Sequence, residues 1–179
     1  MSEFEDKVVI VTGAGGGLGK AHSLEFARRG AKVVVNDLGG SGDGVGSSDM
    51  ADVVVEEITQ AGGTAIANKA SVATMEGAQS IIDDAVSAFG TVDILINNAG
   101  ILRDKSFKNM EMADWDLVLD VHLNGTAYVT KAAWPIMYKK NYGRIVLTSS
   151  VSGIYGNFGQ ANYGAAKMGM LGLMNVLCM

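Results

Sequence analysis

Thiol chemistry is almost absent from this 179-residue chain, whose single cysteine is Cys178. One cysteine allows no internal disulfide and no thiolate metal cluster, which fits a reducing compartment. Histidine is nearly as scarce. His22 reads as a helix-surface residue and His122 as structural, and neither has partners that spell a metal site or a Ser-His-Asp triad. Surplus positive charge is missing too: the net charge of −5 offers no basic face and argues against a nucleic-acid partner. No apolar run is long enough to span a bilayer. The start, MSEFEDK, is acidic and lacks the apolar core of a signal peptide. These absences lead us to expect a cytoplasmic protein.

What the chain does have is glycine, valine and alanine in a repeating arrangement. Lys7 to Thr12 (KVVIVT) is a continuous β-branched run, as expected of a strand buried on both faces of a parallel sheet. GAGGGLG follows at Gly13 to Gly19, then the helical pattern KAHSLEFARRG. A strand, a glycine-rich turn and a helix N-terminus together offer unpaired N–H groups and a positive dipole end to a phosphate. The spacing is T-G-x-x-x-G-x-G, with Thr12, Gly13, Gly17 and Gly19 on pattern, rather than G-x-G-x-x-G. A second strand, Ala31 to Asp37, ends on an acid that can accept hydrogen bonds from adenosine ribose hydroxyls and would repel a 2′-phosphate, favouring NAD over NADP.

Gly39 to Ser48 reads as a flexible Gly/Ser-rich insertion. A helix over about Asp49 to Ala61 follows, with Asp49 or Ser48 as N-cap. The strand TAIANKA, a helix near Thr74 to Phe89 and the strand VDILINNAG extend the alternation. That strand ends on Asn97, Asn98, Ala99 and Gly100, small and amide residues suited to the crevice where α/β sheets bind ligands. One long helix is expected from about Glu111 to Asn141, with Pro135 kinking it or capping an interruption. Asn124-Gly125 is a weak point in its middle. On regular helical spacing His122, two residues before Asn124, faces elsewhere. A fifth strand, Tyr142 to Ser149, delivers Ser150. The whole predicts an α/β fold: one Rossmann-type doubly wound parallel sheet, ending after the fifth strand and the helix that follows it.

The last stretch carries the chemistry. Ser150 stands thirteen residues before Tyr163, and Lys167 stands four after it. If the segment is helical from about Gln160, Tyr163 and Lys167 project from one face. A free phenol titrates near ~10, and a nearby cation favours its ionised form. Tyr163 then becomes a usable general acid or base.

Four signals in this order resemble the short-chain dehydrogenase/reductase family: T-G-x-x-x-G-x-G at Thr12, N-N-A-G at Asn97, the helix Asn124, and Ser150 with Y-x-x-x-K at Tyr163. The resemblance runs from Lys7 to the last residue. Within the family, NDLGG, GILRDKSF, DVHLNGT, AAWP and SGIYGNFGQANY look like the (3R)-hydroxyacyl-CoA dehydrogenase domain of peroxisomal multifunctional enzymes and its bacterial relatives.

The resemblance implies an NAD-dependent oxidoreductase interconverting a secondary alcohol and a ketone. Tyr163 would move the proton, and Lys167 would assist it and hold the nicotinamide ribose. Ser150 would orient the reacting oxygen of the substrate, and Asn124 would hold a water that relays protons to Lys167. Gly13, Gly17, Leu18 and Gly19 would approach the pyrophosphate and adenosine, Asp37 a ribose, Ser71 and Val72 the adenine, and Asn97 the neighbouring ribose, with Ala99 and Gly100 beside it. Ser71 departs from the family's usual Asp. The resemblance also implies a homodimer or homotetramer and, in a eukaryote, leaves a peroxisomal location open.

Family members continue for two more strands and a substrate loop, so the expectation is one NAD-binding domain over residues 1–179 without its C-terminal substrate part. The fifth strand would then be a bare sheet edge. Other readings stay open: a steroid or 3-oxoacyl-acyl-carrier-protein substrate, or an NAD-binding fragment without turnover.

Overall fold

A computed structural model describes residues 3–46 and 48–179. Its order is β1 (Val8–Thr12), α1 (Gly17–Arg28), β2 (Lys32–Asn36), α2 (Met50–Gln60), β3 (Thr64–Asn68), α3 (Met75–Phe89), β4 (Ile94–Asn97), α4 (Met112–Leu119), α5 (Gly125–Lys139), β5 (Arg144–Leu147), α6 (Val151–Tyr155) and α7 (Ala161–Leu177). The strands form one parallel sheet in the order β3-β2-β1-β4-β5. The expected doubly wound sheet is therefore present.

Alternate residues of β1 explain why that strand is apolar throughout. Val8 and Ile10 point into a core shared with Ile81 and Ile82 of α3 and Val129 and Ala133 of α5. Val9 and Val11 point the other way, against Val54 and Ile58 of α2 and Ala27 of α1. Helices on both faces leave no wet side for a polar residue. Thr74 starts α3 by accepting from the Gly77 N–H at 3.0 Å, and Gly90, in the left-handed region, ends it.

Three expectations need correction. The long helix is not interrupted at Pro135, which lies inside α5. It widens earlier, into a π turn over Asp120–Asn124 joining α4 to α5. The weak helix formers Asn124 and Gly125 sit at that point, and an extra residue per turn is the usual form such a defect takes. The Gly/Ser insertion is a hydrogen-bonded turn laid against a neighbouring segment rather than a free linker. Gly42 O accepts from Leu102 N at 2.9 Å, and Asp43 O accepts from Arg103 Nε at 2.7 Å. Its Ser47 lies outside the described residues, as do Met1 and Ser2 at the acidic start. Asp49 is the N-cap residue of α2, one of the two positions expected, but its side chain makes no capping bond and is drawn to Lys69 Nζ at 2.6 Å.

β5 pairs with β4 on one side only and lies at the sheet edge, where Val146 is exposed. Beside it a shallow apolar cleft of about 400 Å³ is lined by Trp134, Tyr138 and Met174. It lies away from the residues singled out for chemistry.

Candidate active site

The chain reverses its lateral direction between β1 and β4, and ligands of doubly wound sheets bind at the carboxyl ends of strands at such a point. A cleft of about 500 Å³ opens there. Gly13, Gly17, Asp37, Ser71, Val72, Ala99 and Gly100 all line it.

The glycine turn is held from the side of β4. Thr12 Oγ1 accepts from the N–H groups of Asn98 and Ala99 at 3.0 and 3.1 Å. Asn98 Nδ2 returns bonds to the carbonyls of Thr12 and Gly13, both at 3.0 Å. Gly13 takes a positive φ of 62°, and a side chain there would strike the Ala99 backbone at 2.7 Å. No side chain caps the start of α1, so its first N–H groups stay available at the cleft.

Asp37 is oriented before any ligand arrives. Its Oδ2 accepts from Gly15 N and its Oδ1 from Gly39 N, each at 2.7 Å. A carboxylate has about four acceptor positions, so capacity remains toward the cleft. Behind it, buried Asn36 donates to Asn68 Oδ1 at 2.8 Å and to Ala70 O at 2.9 Å, which sets the turn carrying Ser71 and Val72. The uncapped helix start, the glycine approach and the free acceptor positions of Asp37 fit a dinucleotide.

Other expected cofactor residues are placed differently. Leu18 is exposed and outside the cleft lining. Gly19 is buried under the turn, where its Cα faces the Gly13 carbonyl. Asn97 is buried and donates to Thr130 Oγ1 at 3.1 Å, so its amide faces α5 instead of the cleft. Gly16, Met50 and Asn98 line the cleft without having been assigned a role. Asn98 stood in the motif, but no spacing shows which of two adjacent amides faces outward.

The Tyr163–Lys167 pair lies one side chain away from this cleft, across His122. Gln160 precedes α7, and Tyr163 and Lys167 follow on one face, with Lys167 Nζ 5.5 Å from the Tyr163 ring centroid. Lys167 is buried and donates to Thr148 O, and burial pulls its ammonium down to about 8. Ser149 Oγ donates to Lys167 O at 2.9 Å. Ser150 ends the β5 connection and caps α6, accepting from Ser152 N at 3.2 Å. Gly153 of α6 abuts Lys167 and Met168, and Gly164 of α7 abuts Ser152 O; these close approaches bring the helix capped by Ser150 onto the turn bearing Tyr163. Asn162, missed in the sequence, anchors this turn. It is fully buried, and its Nδ2 donates to the carbonyls of Arg103 and Asp114 at 3.2 and 3.3 Å.

Asn124 and His122, two residues apart, take different partners. The Asn124 amide donates to Asp120 Oδ1 at 2.7 Å, one turn back on its own helix. His122, expected to face elsewhere, is buried and lies edge-on to Tyr163, with ring centroids 5.1 Å apart and planes at 86°. The π turn rephases these residues, so spacing rules for a regular helix mislead here.

Among the described residues no helix is long and apolar enough to cross a membrane, and no cluster of His, Cys, Asp or Glu could hold a metal ion.

Comparison with known proteins agrees with this geometry. The family model described as short chain dehydrogenase matches residues 7–179. Peroxisomal multifunctional enzyme A of Dictyostelium discoideum is 63% identical over 97% of this chain, which spans 39% of that protein. A peroxisomal hydratase-dehydrogenase-epimerase of Neurospora crassa is 57% identical over 97% of this chain and 19% of its own length. The crystal structure of a short chain dehydrogenase from Mycobacterium avium superposes with a TM-score of 0.85 at 46% identity, covering 94% of this chain and 61% of that one. The chain thus spans well under half the length of these multifunctional relatives. With the matched family model, the parallel sheet and the Tyr163–Lys167 pair at its crevice, this chain belongs to the short-chain dehydrogenase family.

Proposed function

We propose that residues 1–179 form one NAD-binding domain of an oxidoreductase that interconverts a secondary alcohol and a ketone, with (3R)-3-hydroxyacyl-CoA and 3-ketoacyl-CoA as the substrate pair. The observation that carries this reading is Tyr163 stacked over buried Lys167 beside a glycine-built cleft. The names of the multifunctional relatives, one of them a hydratase-dehydrogenase-epimerase, support the substrate class.

In the oxidative direction the Tyr163 oxygen accepts the hydroxyl proton, and in the reductive direction it returns that proton to the carbonyl oxygen. Lys167, whose Nζ lies 5.5 Å from the Tyr163 ring centroid, is proposed to assist that transfer and to hold the nicotinamide ribose. Ser150 holds the reacting oxygen by hydrogen bonding. Asn124 is proposed to hold a water that relays protons to Lys167. A bound nicotinamide supplies the hydride acceptor or donor. Gly13, Gly17, Ser71, Val72, Ala99 and Gly100, which line the cleft, are proposed to contact the dinucleotide, with Asp37 on a ribose; Leu18, Gly19 and Asn97, outside that lining, are proposed to reach it through backbone atoms. Exposed Val151, Ile154, Tyr155 and Phe158, on and just after α6, give an acyl chain an apolar surface to lie along. A homodimer or homotetramer in the cytoplasm or the peroxisome completes the proposal.

Formation of reduced nicotinamide from a (3R)-hydroxyacyl-CoA tests it. The assay compares the chain with a chimera continued by the adjoining segment of the Dictyostelium relative. Turnover in either form that is lost in Tyr163→Phe, with dinucleotide binding intact, is the expected result. Dinucleotide binding without turnover in both forms would overturn the assignment in favour of a binding unit.

The cofactor choice has its own test. Asp37→Ala should weaken NAD binding about tenfold or more, the worth of a charge-assisted hydrogen bond, and narrow the preference over NADP. Fluorescence titration with both dinucleotides reads this directly, and an unchanged preference would remove Asp37 from the ribose site.

A further inference from the structure

His122 is the one buried side chain among the described residues with a polar atom left without a partner, its Nδ1. The ring is only 3% exposed. Its Nε2 lies 3.0 Å from Ile101 N and 2.8 Å from Ile101 O, so it accepts from the one or donates to the other according to tautomer. In either tautomer Nδ1 is an unmet donor or acceptor, a cost of about 1–3 kcal/mol that an apolar ring here would avoid. Burial and the nearby Lys167 charge hold the imidazole down to about 4, so it is neutral near pH 7.

Its neighbours lie on two sides. Ile101 and Gly100 both line the dinucleotide cleft. The ring is packed so closely on Gly100 that a Cβ at that residue would sit 3.0 Å from Nδ1. On the other side is the Tyr163 ring, met edge to face. The imidazole therefore bridges the cleft wall and the proton-transfer residue.

We propose that His122 is a positioning residue that couples the occupied dinucleotide cleft to Tyr163: the Ile101 backbone sets the imidazole, and the imidazole edge sets the phenol. This rests on Tyr163 being the acid/base. A displacement of the order of 1 Å at a reacting group costs about 100-fold, so small changes in the ring matter.

The design of the test follows from what each substitution keeps. His122→Phe retains an aromatic edge and loses the Ile101 bond. His122→Asn keeps a hydrogen-bonding group and loses the ring. In the turnover assay His122→Phe and His122→Asn, each of which breaks one of the two links, should both lower kcat about 10–100-fold with KM for NAD within about threefold. A binding readout stands apart from activity. With only two histidines in the chain, long-range proton–nitrogen spectra of the histidine-labelled protein separate His122 from His22. His122 should show one neutral tautomer and should shift when NAD is added. Unchanged kcat in His122→Phe, or a His122 resonance indifferent to NAD, overturns the coupling. Should Tyr163→Phe remain active, the function proposed above falls; should it be inactive while His122→Phe is fully active, only the positioning role falls.

Discussion

Gly19→Ala should abolish dinucleotide binding while leaving most of the sheet intact. Gly19 lies in the first turn of α1, where alanine would ordinarily favour the helix by about 1 kcal/mol. Here the added methyl would be driven into the Gly13 carbonyl and would stand 2.7 Å from Asn98 Nδ2. Both groups belong to the lattice that holds the glycine turn against β4. The Gly13 carbonyl is backbone and cannot swing aside, so α1 must lift or the turn must open. Overpacking of this kind costs about 1–3 kcal/mol and exceeds the propensity gain. The expected result is a modest fall in melting temperature and a loss of NAD affinity of about 100-fold or more, since the uncapped N–H groups proposed to meet the dinucleotide move with the helix. Gly17→Ala is the control: its φ is positive at 50° but nothing lies within 4 Å of the added methyl, so strain alone should weaken the protein. Equal NAD affinities for Gly19→Ala and the parent chain would refute the close-packing account.

Asp93→Ala should produce the largest loss of stability. Asp93 is buried at the amino end of the sheet, remote from the cleft, and its two oxygens serve different elements. Oδ2 accepts from Val8 N at 2.9 Å, and Oδ1 accepts from Lys140 Nζ at 2.6 Å. Lys140 also donates to Thr91 Oγ1 at 3.0 Å and to Val92 O. The carboxylate thus ties the start of β1, the approach to β4 and the end of α5 together. Alanine would leave a buried N–H and a largely buried ammonium short of acceptors. Breaking a buried pair costs about 3–5 kcal/mol; Lys140 keeps a quarter of its side-chain exposure, which places the loss near the lower end. For a chain of this size that corresponds to a fall in melting temperature of about 6–12 °C. Asp93→Asn, which retains an acceptor for Val8 N, should recover part of it. A change under about 1 kcal/mol would mean that the network behaves as an exposed ion pair.

The two substitutions differ in what a reader of the sequence could foresee. Gly19 stands in a recognisable motif, yet the motif does not show how closely it packs against the Gly13 carbonyl. Asp93 and Lys140 are 47 residues apart and carry no motif, so their meeting is invisible until the helix after β4 returns along the sheet.

Local order was legible in the residues themselves. A β-branched run, a glycine turn and a helix follow one another at short range, so β1, the turn and α1 could be placed before any contact was known. Tyr163 and Lys167 share a helix face because they are four residues apart, and the geometry of a single helix suffices for that. The parallel sheet followed from alternation of strands and helices, which leaves few ways to bury both faces. Tertiary structure decided the rest. It turned Asn98 to the cleft and Asn97 to Thr130, and it anchored the Gly/Ser loop on the segment after β4. It also brought His122 against Tyr163, because the π turn shifts the phase on which sequence spacing depends. Periodicity encodes the contacts that one regular element makes with itself, whereas the site was completed where an element departs from regularity and meets a distant one.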